Sequence, residues 1–330
     1  MEKKYKRLSL EERIQIEKLL SHNESYSEIA RKLTRNKSSI QREVSRYKKS
    51  KYSSYNAHLK AFNLSINRKY GKSKIILNPI LEKYVLEKLY LYWSPQQISI
   101  SLKQNFNDPK MRVSHEAIYL YIYLHAKKGL KDAIISHLRQ KRKWRGNVRR
   151  GVDKRTTIAD PIRIDERPKE VLGREIPGHW EGDLILGKNR ESAIGTLVER
   201  TTRCVILVHL KAKDATSVRK AFEKEFLTVP KQMKKTLTYD NGTEMAQHKL
   251  FTKNTKIQVY FAHPYSPWER PTNENTNGLL RDYFPKGTDL SIVTKKRLKE
   301  VQNQLNERPR KVLNWQNPKD VFEEMILQKL

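Results

Sequence analysis

In the first fifty positions, apolar residues recur at helical spacing in three short runs. Each run is preceded by a serine with Glu or Gln three residues on: Ser9 with Glu12, Ser25 with Glu28, and Ser38 with Gln41. That spacing lets the serine side chain and the later carboxylate or amide satisfy each other's free backbone N–H, so it marks helix starts. The pattern predicts a first helix with Leu10, Ile14 and Leu20 inward and a second with Ile29 and Leu33 inward. A third runs from Ser38 to about Lys48 with Ile40, Val44 and Tyr47 on its buried face. The turn Thr34-Arg35-Asn36-Lys37 between the last two has helix-turn-helix length. With that face inward, Ser38, Gln41, Arg42, Ser45, Arg46 and Lys49 are left to meet base edges and phosphates.

A weaker echo follows over 51–138. Asn78-Pro79 opens a helix with Leu81, Val85 and Leu89 inward, and Ser94-Pro95-Gln96-Gln97 opens another with Pro at its first position. Ser114 caps a third helix containing Ile118, Tyr121 and Ile122, with Glu116 and Leu120 outward. This region is either a second helix-turn-helix or a structural helical module. Residues 139–172 read as a basic linker. Nine of the seventeen residues from Arg139 to Arg155 are Lys or Arg, so Lys141, Arg142, Lys143, Arg145, Arg149 and Arg150 suit a phosphate backbone.

From 173 to 330 the period changes to strands. His179 to Leu186, Ala193 to Val198, Cys204 to Leu210, Thr236 to Tyr239 and Ile257 to Ala262 are expected as five strands. Helices are expected from Ala215 to Phe226, from Thr243, and from near Pro271. Three strands, helix, strand, helix, strand, helix is the order of a ribonuclease H-like α/β domain with a mixed five-stranded sheet. The expected fold is multidomain: a helix-turn-helix domain at 1–50, the helical region at 51–138, the linker, and this catalytic core.

Charge sharpens the picture. The 330 residues hold 68 Lys and Arg against 36 Asp and Glu, a net of +32. Residues 1–150 hold 35 basic and 12 acidic residues (35 − 12 = +23), and the remainder 33 and 24 (+9). A field of that size gathers polyanions, which points to double-stranded DNA as partner. No apolar run approaches a bilayer span and the start lacks a signal-peptide core, so a cytoplasmic, nucleoid-associated protein with no membrane partner is expected. The single cysteine, Cys204, excludes an internal disulfide framework.

Three acids stand where the predicted architecture brings chemistry together. Asp183 lies among apolar neighbours in a strand, where a carboxylate is costly without a partner. Asp240 follows the fourth strand. Glu274 comes after it with 33 residues between. Converging at a sheet end, such acids hold two Mg²⁺ ions about 3.5–4 Å apart, with Mn²⁺ as substitute. Glu269 and Glu244 are local rivals of Glu274. If the chain from 271 is helical, Glu274, Asn277 and Arg281 share a face, and Arg281 would reach DNA near the metals. His179 and Glu181 alternate with Asp183 on one strand face, either as supporting groups or as a solvated rim. Asn241 and Asn277 are further supporting candidates. The stretch GDLILGKN from Gly182 to Asn189 only imitates a phosphate loop, since it lacks the final Ser or Thr and its interior is a strand.

These residues resemble the IS-thirty family of bacterial insertion-sequence transposases. The likeness rests on Gly178 to Ile185, Leu197 to Arg200, Tyr239 to Glu244, Trp268 to Gly278 and Asn306 to Lys311. It implies a DDE recombinase with Asp183, Asp240 and Glu274 as triad and metal ligands. It also implies binding of terminal inverted repeats and target DNA, through the N-terminal region at the ends, and a circular intermediate with abutted ends. A homodimer or higher homo-oligomer on DNA is expected. The family usually has Gly where this chain has Pro271, a residue suited to a first helical position. Two rivals are a silent DNA-binding regulator, which would lack a triad acid, and a structure-specific nuclease, which would not need duplex-reading helices.

Overall fold

In a computed structural model of the protein, which describes residues 7–47, 51–67, 73–125, 158–264 and 266–328, the first two helices start where their serines predict. Ser9 accepts from Glu12 N and Ser25 from Glu28 N, while each glutamate accepts the serine's own N–H. They open α1 (Leu10–Ser21) and α2 (Tyr26–Lys32). The third box does not form. Helix α3 spans Lys37–Ser45 with Asn36 at the cap position, so Ser38 already lies in the first turn. It ends before Lys48 because Tyr47 N turns back to Val44 O and the Tyr47 ring packs edge-on against Tyr52.

The inward face of α1 also differs from expectation. Leu10 and Ile14 are exposed, whereas Ile16 and Arg13 are buried. Arg13 turns inward because Glu43 of α3 is buried opposite it, Nε to Oε1 at 2.7 Å, and Nη1 also donates to Leu8 O. A hydrophobic period cannot foresee a buried ion pair. Helix α4 (Ser54–Asn67) packs on α1, and Tyr52 and Ala57 share the core of Ile16, Ile29 and Ile40. The first compact unit therefore runs past the boundary expected at residue 50.

The second unit combines the helices after α4 with the sheet domain. Helices α5 (Pro79–Tyr90), α6 (Pro95–Asn105) and α7 (His115–Leu120) bury Leu81, Val85, Leu89, Ile98 and Ile118, and Ser94 makes its box with Gln97. They pack with the sheet domain instead of standing apart as a region over 51–138. Gln97 Nε2 donates to Pro309 O at 2.7 Å, Arg308 Nη2 to Leu91 O at 3.1 Å, and the Tyr92 ring packs at a tilt against Tyr283.

Strands β1 (His179–Leu186), β2 (Ala193–Glu199), β3 (Val205–His209), β4 (Thr236–Tyr239) and β5 (Gln258–Phe261) form a sheet of order β3-β2-β1-β4-β5. The first three pair antiparallel; β4 and β5 add in parallel. One face carries α8 (Ala215–Leu227) and α9 (His248–Thr255), through Phe222, Phe226 and Phe251 against Trp180 and Leu237. The other carries α10 (Pro271–Tyr283) and α11 (Lys295–Asn306), through Leu280, Val301 and Leu305 against Ile185, Ile194 and Val205. Gly182 admits Tyr239 so closely that a Cβ would meet its ring at 2.8 Å. The exposed edge of β3 is covered by side chains. Asn306 bonds both backbone groups of Val205, and Gln302 accepts from Leu207 N, which blunts an edge otherwise open to pairing. The last helix, α12 (Pro318–Leu327), adds Phe322 and Ile326 to the first face. Among the described residues, no helix is long and apolar enough to cross a membrane.

Candidate active site

Parallel pairing sets Glu181 beside Thr238, and two residues further on Asp183 and Asp240 emerge side by side. The Asp183 carboxylate is pushed up to about 6, first by burial and then by the charges of Asp240 and Glu244, with Arg270 opposing. Its Oδ2 accepts from Asn277 Nδ2 at 2.9 Å, and its Oδ1 from Leu184 N. Asp240 Oδ1 accepts from Gly242 N, where a side chain would collide with Asp240 and Glu244. Between the two aspartates stands Arg270, 3.7 Å from Asp183 Oδ2 and 3.9 Å from Asp240 Oδ2.

Glu274 is exposed on α10, one turn before Asn277 on the same face. The helix itself starts at Pro271 and has no side-chain cap at Arg270. Its cap comes from β1. Buried Glu181 accepts from Asn273 N at 2.8 Å, and Asn273 Nδ2 donates to Glu181 O while its Oδ1 accepts from Thr196. Arg200, also buried, pairs with Glu181 at 3.0 Å. Glu181 is thus the dock for the helix that carries Glu274, and not part of a solvated rim.

Glu269 is occupied elsewhere, accepting from His263 N and facing its Nδ1 at 2.9 Å. Arg281 does not reach outward as expected. Its Nη2 donates to Leu186 O at 2.9 Å and its Nη1 to Phe284 O, tying α10 to the end of β1. Asn241 Oδ1 accepts from Arg163. Arg270 and Asn273 escaped the sequence reading. The one signal available was their place immediately around Pro271, between two strand ends and a helix.

His179 is buried, with Nδ1 2.9 Å from Thr236 Oγ1 and Nε2 3.3 Å from Glu170. Burial, helped by Lys235, Arg200 and Arg167 and opposed by Glu170, holds the ring down at about 4. It is neutral at pH 7, so the Glu170 contact is not an ion pair there. A histidine depressed from its ordinary 6.5 contributes stability above pH 6.5 that is lost as pH falls toward 4. His179→Gln should remove up to about 3 kcal/mol of that acid loss. Melting curves between pH 4 and 7 test this; parallel pH profiles for wild type and variant would refute it.

Among the described residues, no three His, Cys, Asp or Glu side chains come together closely enough to hold a metal ion. The donor set nevertheless suits one. Two carboxylates share a single guanidinium at more than hydrogen-bond distance, and Asn277 Oδ1 beside them is buried without a partner. Hard oxygens short of positive charge suit Mg²⁺ or Mn²⁺.

On the first unit, Ser38, Gln41, Arg42, Ser45 and Arg46 are all exposed along and just after α3. Arg42 Nε rests on Ser38 O, and Arg46 pairs with Glu43. Arg7, Arg35 and Ser39 line the same cleft as Arg42 and Arg46, an extension the helical period of α3 did not indicate. Lys49 and the linker residues Lys141, Arg142, Lys143, Arg145, Arg149 and Arg150 lie outside the described residues.

Residues 4–47 match a helix-turn-helix domain family, and residues 174–267 match the integrase core domain. A helix-turn-helix unit in one chain with an integrase core on a mixed five-stranded sheet defines the class of protein. Full-length relatives narrow it. The transposase for insertion sequence element IS1086 of Cupriavidus metallidurans is 41% identical over 98% of this chain and 96% of its own length. Transposase InsI for insertion sequence element IS30A of Escherichia coli is 42% identical over 96% and 83%. The transposase for insertion sequence element IS4351 of Bacteroides fragilis is 35% identical over 98% and 97%. The chain belongs to the IS-thirty family of insertion-sequence transposases.

Proposed function

We propose that this chain binds the terminal inverted repeats of an insertion sequence and cleaves and joins DNA strands at Asp183, Asp240 and Glu274, acting on the DNA as a homodimer or larger assembly. The observation that carries this reading is the convergence of Asp183 and Asp240 on one cation, with α10 docked beside them by Asn273. Asp183, Asp240 and Glu274 would hold two Mg²⁺ or Mn²⁺ ions, which would supply activation of the attacking hydroxyl and charge for the leaving 3′-oxygen. The chain's own part is positional. Asn277 fixes the rotamer of Asp183, Glu181 caps the helix bearing Glu274, and Arg281 fastens that helix to β1. The basic residues of 139–155 follow the phosphates of bound DNA. Incubating the protein with a labelled transposon end and Mg²⁺, then mapping cut and joined strands, tests the whole reading. An intact end after incubation, under conditions where binding is saturated, counts against it.

End recognition is assigned to α3. Arg42→Ala should cost roughly 1–3 kcal/mol on the cognate end if the guanidinium meets a base. Titrations on cognate and random duplexes separate the roles. Equal loss on both marks a phosphate contact, and no loss on either removes α3 from recognition.

A further inference from the structure

The cation nearest the two aspartates belongs to the chain. Arg270 stands just before α10 with its side chain 13% exposed. Nη1 donates to Gly182 O at 2.9 Å, and its Nε is buried without a partner. Its ion pairs differ from those of Arg13 and Arg219. Arg13 meets Glu43 at 2.7 Å, and Arg219 meets Glu223 at 2.7 and 2.8 Å, both in direct hydrogen bonds. Arg270 keeps 3.7 and 3.9 Å from its two carboxylates, so it engages them by charge and is hydrogen-bonded to one carbonyl alone.

We propose that Arg270 is an internal counter-cation of the Asp183–Asp240 pair. It holds the two carboxylates together in the metal-free protein and opposes entry of a divalent ion, so that guanidinium and metal compete for one anionic site. This rests on the reading of those aspartates as metal ligands. A divalent ion must approach carboxylate oxygens to about 2.0–2.1 Å for Mg²⁺, well inside the distance Arg270 keeps. A unit charge and a double charge a few ångströms apart repel strongly even when well screened by the protein. The linkage is reciprocal: what Arg270 adds to the stability of the metal-free state it subtracts from metal affinity.

The test uses the full chain without DNA, with Mn²⁺ as probe, followed by titration calorimetry and by melting in EDTA and in saturating Mn²⁺. Arg270→Gln should bind Mn²⁺ roughly tenfold more tightly than wild type. It should also melt lower in EDTA and gain more on adding Mn²⁺. Arg270→Met, which keeps the aliphatic stem, is the second neutral variant in case the first does not fold. Arg270→Lys keeps the charge and should stay near wild-type affinity. Neutral variants that bind Mn²⁺ no more tightly than wild type overturn the proposal, and so does an Arg270→Lys as tight as the neutral forms, since charge would then not be the cause. Asp240→Asn separates the two ideas. If tight Mn²⁺ binding survives it, the aspartates are not the ligands and the functional reading has failed; if binding is lost with it yet unaffected by Arg270→Gln, only the counter-cation has failed.

Discussion

Asp183→Ala and Glu274→Ala are each expected to lower strand joining by orders of magnitude while end binding persists. The chemistry needs negative oxygen ligands at the phosphate, and each replacement removes one carboxylate from the proposed metal sites. Binding should be retained because the α3 residues proposed for recognition belong to the other compact unit. Asp183→Asn should in addition raise the melting temperature of the metal-free protein. It removes a charge that partial burial disfavours most, with Asp240 and Glu244 adding to that against the opposing Arg270. Glu269→Ala is the internal control, since that carboxylate serves His263 and should be dispensable for joining. Strand-transfer assays on a labelled end, with binding measured on the same preparations, decide the matter. If Glu269→Ala abolishes joining while Glu274→Ala leaves it intact, the third acid is wrongly assigned.

The second large effect is expected at Glu181, which is not among the proposed metal ligands. Glu181→Ala leaves Arg200, 4% exposed, without its carboxylate and takes the acceptor from Asn273 N in the first turn of α10. Removing one partner of a buried pair strands the other charge, and the expected loss is about 3–5 kcal/mol. Glu181→Gln keeps an acceptor for Asn273 and should cost less, about 1–3 kcal/mol. Joining should fall in both, more steeply in the alanine variant, because Glu274 rides on the helix that loses its cap. Urea unfolding of the full chain reads the stability, with the transition of the sheet domain followed separately from that of the helix-turn-helix unit. An alanine variant within 1 kcal/mol of wild type would show that Glu181 does not hold α10.

Local rules carried the helix starts at Ser9, Ser25, Ser94 and Ser114, because a cap is closed by residues three positions away and needs nothing else. They also carried β1 and β4 to the residue and the outward row of α3, where a period of two or 3.6 is enough to sort sides. That the two acids stand beside each other at the end of the sheet also follows from strand register, since Asp183 lies in β1 and Asp240 directly after β4, its parallel neighbour.

What the tertiary structure alone decided is the choice of partner. Arg13 faces inward because Glu43 is buried across from it, against the hydrophobic period of α1. Arg281 has the helical spacing of an outward group, yet its donors are taken by Leu186 and Phe284. Helices α5 to α7 join the sheet domain through Gln97, Arg308 and Tyr283, contacts that span some two hundred positions of sequence. Arg270 reads in sequence as one basic residue before a proline, and only the pairing of β1 with β4 gives it two carboxylates to stand between. Periodicity reports which side of an element a residue occupies. Which charge it meets there depends on the desolvation and reach of side chains brought from distant segments, and that is settled only when the elements pack.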